Sequence, residues 1–283
     1  VLLLCVLLLG SGPAAAEGVE LSVLSYNTHG LPSLLVRDAP TRRFPEIARQ
    51  IGRYDVALLQ EDFAHHELLQ QHLDATAGVR VVATGNPSRS SWCPICSGSG
   101  LTLVSRLPES AWSRIDAQPY GLCSGWLGGA SDCFATKGFL RARLALEGGL
   151  QIDFVETHLD ASDGEGDRVV RHHQLEALRR ALGERAGDAA LIVVGDFNLD
   201  AGDARDVRER RAFTSALGLA NSGAAASAGS SWERLDYIFY RSGQRTQLAV
   251  IEASEDEGFT LKGKPLSDHP AIQARFRASP TPR

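Results

Sequence analysis

The chain lacks an excess of basic residues. Its 29 Lys and Arg stand against 34 Asp and Glu, leaving a net charge of −5 and a pI of about 5.9. That balance argues against a strongly basic nucleic-acid footprint, although a local basic cleft or a bound cation could still serve an anionic substrate. After the first nine residues there is no apolar run long enough to span a bilayer. No low-complexity linker divides the 283 residues, and no short-period repeat runs through them. A Gly-x-Ser-x-Gly nucleophile elbow is missing around Ser99, because Ser97 takes the place of the first glycine. What remains is ordinary globular composition, 43% hydrophobic and 22% charged. The length suits one large domain that can bury its core without metals or disulfides.

Val1 to Leu9 are wholly apolar, Gly10 to Pro13 follow, and Ala14-Ala15-Ala16 supplies a small-x-small site before Glu17. Residues 1–16 are therefore expected to be a secretory signal peptide, N-terminally incomplete because no basic leader or initiator methionine precedes it. Residues 17–283 are expected to form a single domain, monomeric, and secreted or periplasmic. Of the five cysteines, Cys5 falls in that signal, leaving Cys93, Cys96, Cys123 and Cys133. An even set in an exported protein predicts disulfides, with the connectivity open. A structural zinc site is the rival, since Cys93 and Cys96 are closely spaced. The nine residues between Cys123 and Cys133 are too many for the second half of such a site.

Alternation predicts strands over 20–26, 55–59, 79–83, 101–105, 139–146, 150–157, 235–240, 246–253 and 271–276. Helical spacing covers 42–52, 64–77, 169–182 and 203–218, and Gly-rich loops fill 85–99, 116–136 and 221–231. Glu147-Gly148-Gly149 reads as a hairpin turn. Strands dominate, with a helix after several of them. This pattern predicts an α/β fold of two packed, mainly antiparallel sheets flanked by helices, a four-layer α/β sandwich.

The chemistry concentrates at strand ends. Leu191 to Val194 is a buried strand that ends Gly195-Asp196-Phe197-Asn198. Asp196 and Asn198 point to one side, where a carboxylate and an amide can hold a hard cation or a phosphate oxygen. Alone, this could be a polar turn. Four other strands finish the same way, in Asn27 with His29, Glu61, His158 with Asp160, and Asp268 with His269. If these ends converge, oxygen ligands with few thiols suit Mg²⁺, with Mn²⁺ or Ca²⁺ as alternatives, better than zinc. A histidine beside an acid is a candidate general base. His29 reads as a turn residue. His65-His66, His172-His173 and the arginines 168, 171, 179, 180 and 185 read as solvated helix faces.

Ser25-Tyr26-Asn27, Leu59-Gln60-Glu61, Thr157-His158-Leu159, Gly195-Asp196-Phe197-Asn198, Leu235-Asp236-Tyr237-Ile238 and Leu266-Ser267-Asp268-His269-Pro270 run in order from residue 25 to 270. In order and spacing they resemble the endonuclease/exonuclease/phosphatase superfamily. The resemblance implies the four-layer sandwich and a metal-dependent phosphoric ester hydrolase. It implies Glu61 as principal metal ligand, helped by Asn27, with Asp268 close to the metal. Asp196 would align or activate the attacking water, and Asn198 would contact the phosphate. His269, steadied by Asp236, would act as base or bind the phosphoryl oxygen, and His158 would be a second acid/base or phosphate ligand. Which of Asp196 and His269 is the base stays open.

Ser99 to Arg106, Asp132 to Phe139 with its Lys137-Gly138 pair, and Pro265 to His269 further resemble the bacterial neutral sphingomyelinase branch. That resemblance implies a phospholipid substrate of sphingomyelin type, cleaved to ceramide and phosphocholine, with peripheral contact to a membrane surface. The rivals are a secreted deoxyribonuclease of the same fold, which would make nucleic acid the substrate, and an inositol-phosphate phosphatase. Between Cys93 and Cys133 aromatics sit among glycines. Trp126 and Leu127 either dip into a lipid interface or pack over the sandwich edge, whereas Trp112 is expected to pack.

Overall fold

A computed structural model describes residues 18–33, 36, 39–88, 96–126, 131–183, 189–223 and 235–282. The expected signal peptide, Cys93 and Leu127 therefore lie outside the described residues. The chain runs β1 (Val19–Asn27), α1 (Pro40–Ile51), β2 (Val56–Gln60), α2 (His66–Asp74), β3 (Arg80–Thr84), β4 (Thr102–Ser105) and β5 (Trp112–Pro119). It continues through β6 (Gly138–Ala145), β7 (Gln151–His158), α3 (Glu165–Gly183), β8 (Ala190–Asp196), α4 (Ala204–Leu217) and β9 (Ala220–Asn221). The last elements are β10 (Asp236–Arg241), β11 (Thr246–Glu255), the hairpin β12 (Thr260–Leu261) and β13 (Lys264–Pro265), and β14 (Ile272–Pro280).

The large strands form two six-stranded sheets, ordered β11-β14-β1-β2-β4-β3 and β5-β6-β7-β8-β10-β9. Each is antiparallel but for one parallel pair, β1 with β2 and β7 with β8. Period-two alternation decides which side chains enter which layer. In β1, Leu21 and Val23 face the second sheet while Leu24 and Tyr26 lie under α1 and α2. In β8, Ile192 and Val194 enter the space between the sheets, and Leu191 and Val193 pack beneath α3 and α4. A strand covered on both faces must be apolar throughout, which is why β8 reads as an unbroken hydrophobic run. The four layers are those expected.

Helix ends follow local chemistry. Asp203 caps α4 by accepting from the N–H groups of Arg205 and Asp206, and Gly218 closes it at φ 64°. Several boundaries differ from expectation. The strand holding Trp112 continues to Pro119, through the first residues of the expected loop, because β6 supplies its backbone partners. Trp112 is buried and packs on Phe154, with ring centroids 5.7 Å apart. Among the described residues no helix is long and apolar enough to cross a membrane.

Candidate active site

The two parallel pairs end at the same edge of the sandwich. Asn27 stands opposite Gln60 at the ends of β1 and β2, so Glu61 emerges beside Asn27. His158 stands opposite Asp196 at the ends of β7 and β8, and Asp236 opens β10 across from Asp196. Gly138 pairs with His158, which delivers Lys137 to the same edge. The turn before β14 adds His269. Gly195 makes this approach possible. Its φ is 143°, and a Cβ there would stand 1.9 Å from the Thr157 carbonyl oxygen.

These ends meet in a connected polar cluster. Asn27 Nδ2 donates to Asp196 Oδ2 at 3.1 Å, tying one sheet to the other. His158 Nε2 lies 3.7 Å from Glu61 Oε1 and 3.6 Å from Asp196 Oδ2. His269 Nδ1 is 2.8 Å from Asp236 Oδ2, and its Nε2 is 3.7 Å from Asp196 Oδ2. Lys137 spends its three N–H donors on His158 Nε2 at 2.9 Å, the Leu159 carbonyl at 3.0 Å and Asp132 at 3.0 Å. Asn198 adopts φ 49° and donates from Nδ2 to the Leu159 carbonyl at 3.0 Å, leaving its second amide hydrogen for a ligand.

Burial dominates the electrostatics. It raises Glu61, against the pull of Lys137, and raises Asp196 to about 6 with the help of repulsion from Asp236. Asp236 is raised by burial too, although the His269 hydrogen bond opposes this. Burial pushes His158 well below the usual histidine range, and the charges of Lys137 and His269 add to that. For His269 burial pulls downward, but the Asp236 hydrogen bond and the charges of Asp196, Asp236 and Asp268 win and hold it at about 10.

This donor set fits a divalent cation. Ligand atoms of Glu61, His158 and Asp196 lie within 4.8 Å of one another, as do those of Asp196, Asp236 and His269. Asp236 Oδ1 is buried without a hydrogen-bond partner. Buried carboxylates raised toward neutrality are those a hard cation would restore to charge.

Some residues fall elsewhere than expected. Asp268 belongs to neither group of ligand atoms; it lies at the rim, more than half exposed, 3.2 Å from His29 Nδ1. His29 does sit in a turn, at φ 48°, but its ring also faces this rim. Asp160 is buried on the α3 side by Ser124 and Gln174. His65 and His66 are half-buried rather than fully solvated, with their rings in contact with the Leu31 carbonyl and Asp62. Arg171 is buried, for reasons that its place on a charged helix conceals. His158 Nε2 accepts from Lys137, so it has no proton to give from that atom in this arrangement. Lys137 itself was legible only as part of a Lys-Gly segment, and its place in the cluster depends on the β6–β7 register. Cys123 and Cys133 form a disulfide and Cys96 is disulfide-bonded as well, which overturns the zinc alternative.

Comparison with known proteins agrees with this architecture. Sphingomyelinases of Mycobacterium tuberculosis and Mycobacterium bovis are 28% identical over 284 residues, which cover 93% of this chain and 54% of theirs. The chain thus spans about half the length of these relatives. Sphingomyelinase C from Streptomyces griseocarneus superimposes with a TM-score of 0.64 at 21% identity, covering 91% of this chain and 99% of that one. A double mutant of beta toxin from Staphylococcus aureus with bound magnesium ions gives 0.65 at 18% identity, covering 90% and 99%. Residues 24–269 match the Endonuclease/Exonuclease/phosphatase family, a span that holds every residue of the cluster from Asn27 to His269. The chain belongs to that family.

Proposed function

We propose that the protein is a secreted, divalent-metal-dependent phosphodiesterase that hydrolyses a sphingomyelin-type phospholipid to a ceramide and phosphocholine. The observation that carries the hydrolytic reading is the convergence of Glu61, His158, Asp196, Asp236 and His269 at one edge of the two sheets. The sphingomyelinase relatives and the matching motifs support the lipid substrate. The disulfide between Cys123 and Cys133 favours an oxidising compartment. Within that disulfide loop Trp126 is 57% exposed while its ring rests edge-on against Phe134 at 5.6 Å. An exposed aromatic suits peripheral contact with a lipid surface.

Glu61, with Asn27 and Asp196, would hold the cation, Mg²⁺ in our reading and Mn²⁺ or Ca²⁺ as substitutes. When bound it supplies Lewis-acid neutralisation of the phosphoryl oxygens. Asp196 faces both histidines and orients the attacking water. His269, with Nδ1 committed to Asp236, presents its Nε2 proton to the charge that develops on the phosphoryl group. Asn198 supplies an amide hydrogen to the phosphate. Lys137 fixes the His158 ring and adds a buried positive charge behind it.

Purified protein assayed on sphingomyelin vesicles, plasmid DNA and an inositol phosphate, each with Mg²⁺ and with chelator, tests this reading. Phosphocholine release that stops in chelator is the expected result. Nicked DNA or freed inorganic phosphate with intact sphingomyelin would overturn the substrate.

A further inference from the structure

Helix α1 carries a buried guanidinium that none of the strand-end motifs contains. Phe44, Ile47 and Ile51 seat the helix in the layer over β1 and β2. Arg43, near its start, is 6% exposed. Its Nη1 donates to the carbonyl oxygens of Thr28, at 3.0 Å, and of Leu266, and its Nη2 donates to that of His29 at 2.8 Å. One side chain thus holds two segments far apart in sequence. Thr28 and His29 follow Asn27 at the end of β1, and Leu266 opens the turn that carries His269.

The two segments depend on Arg43 unequally. The loop after β1 has ties of its own. The N–H and the Oγ1 of Thr28 both donate to the Gln60 carbonyl, at 2.8 and 3.0 Å, and the Gly30 N–H donates to the Glu61 carbonyl at 2.7 Å. Gly30 approaches so closely that a Cβ there would stand 2.3 Å from that oxygen. The end bearing Asn27 and Glu61 is therefore bound together by backbone. The turn after Leu266 has less, since β14 begins only at Ile272. The Leu266 N–H reaches the Phe259 carbonyl at 2.9 Å, and the His269 N–H meets Ser267 Oγ at 3.2 Å inside the turn itself. Arg43, with the contact of His29 and Asp268 at the rim, joins this turn to the loop after β1. A guanidinium suits the task because its donors point in fixed directions and its charge strengthens each bond.

We infer that Arg43 is a positioning residue for the hydrolysis, clamping the turn that delivers His269 to the loop that follows Asn27. It acts through those residues rather than on the substrate. The inference rests on the hydrolytic function proposed above, but the clamp itself can be read without any substrate. Its loss should release the His269 turn and leave the Asn27–Glu61 end in place, so turnover suffers while activation by Mg²⁺ does not.

Arg43→Ala and Arg43→Lys in the full chain test this. Lysine keeps the charge as a compact point that cannot span both segments in fixed directions, and it serves if the alanine variant fails to fold. Hydrogen–deuterium exchange in chelator, read by mass spectrometry, should quicken about tenfold or more in the turn from 266 to 269, the effect of losing one charge-assisted hydrogen bond. Exchange at 24–30 and 56–61 should match the wild type. The kinetic arm uses whichever substrate of the panel the wild type turns over. There kcat should fall by about tenfold or more, as for a misplaced reacting group, with the Mg²⁺ concentration for half activation kept within about threefold. Wild-type exchange in the turn, or a wild-type kcat, would overturn the inference, as would an Mg²⁺ requirement that rises in step with the fall in kcat. A wild type silent on every substrate of the panel would instead refute the proposed function, and exchange alone would then decide the clamp.

Discussion

Gly195→Ala tests whether the tight approach of β7 and β8 builds the cluster. Gly195 pairs with Thr157 across the two strands, and both are followed by cluster residues, Asp196 and His158. An added Cβ would stand 1.9 Å from the Thr157 carbonyl oxygen and 2.9 Å from its carbon, so backbone must move. Such overpacking costs about 1–3 kcal/mol. Holding alanine at φ 143° adds about 1–3 kcal/mol of backbone strain. The sum, centred near 4 kcal/mol, is a large fraction of the roughly 5–15 kcal/mol that stabilises a domain. At about 2–4 °C per kcal/mol for a chain of this size, Tm should fall by about 8–16 °C. Gly148→Ala is the control. Gly148 has φ 70° but nothing within 4 Å of its Cβ position, so it should lose only about 1–2 kcal/mol of left-handed strain. Urea unfolding of both variants gives the comparison. If Gly195→Ala proves no less stable than Gly148→Ala, the close approach is not what the geometry says it is.

Asp236→Asn removes the carboxylate that holds His269 at about 10, so the pKa of His269 should fall. Because the protonated ring is the working form, the alkaline limb of the pH–kcat profile should move to lower pH; an unmoved limb would show that another group sets it. Lys137→Met leaves His158 Nε2 without its donor and removes a buried charge, with an expected loss of about 10²–10³ in kcat. Steady-state kinetics at wild-type levels would contradict that. Glu156 is fully buried and pushed well above the carboxylate range by burial, and its Oε2 and the Oε1 of neighbouring Gln60 both lack partners. A proton on Glu156 would spare its buried carboxyl an uncompensated charge. Glu156→Gln should therefore be nearly neutral to stability at pH 7, while Glu156→Ala should cost about 1–3 kcal/mol. With the native state holding the extra proton, wild-type stability should fall as pH rises above about 4.3. Equal losses in the two variants would refute a neutral Glu156.

The layers of the fold were legible because apolar alternation is long in β1, β6 and β7, and because β8 is an unbroken apolar run. The cluster was legible because Glu61, His158 and Asp196 each follow such a run, and a charged residue at the end of a buried strand needs a reason. What escaped depends on pairing rather than on pattern. The strand from Asp116 to Pro119 draws its order from β6, and the two-residue strands β9, β12 and β13 are too short to carry a period. Lys137 enters the cluster only through the register of Gly138 with His158. Arg171 sits on a helix dense in charge, where nothing in the spacing separates its buried guanidinium from the more exposed Arg179 and Arg180. Asp268, next to His269, lies at the rim beside His29, a pairing that its motif does not show.

The most direct measurement is sphingomyelin turnover against Mg²⁺ concentration for the wild type and Glu61→Gln. The wild type should be silent in chelator and recover as Mg²⁺ is restored. Glu61→Gln keeps the shape of the side chain but loses its charge, so it should need far more Mg²⁺ for far less turnover. Full wild-type turnover in chelator, or a Glu61→Gln curve that overlays the wild type, would contradict a metal-dependent hydrolase built at these strand ends.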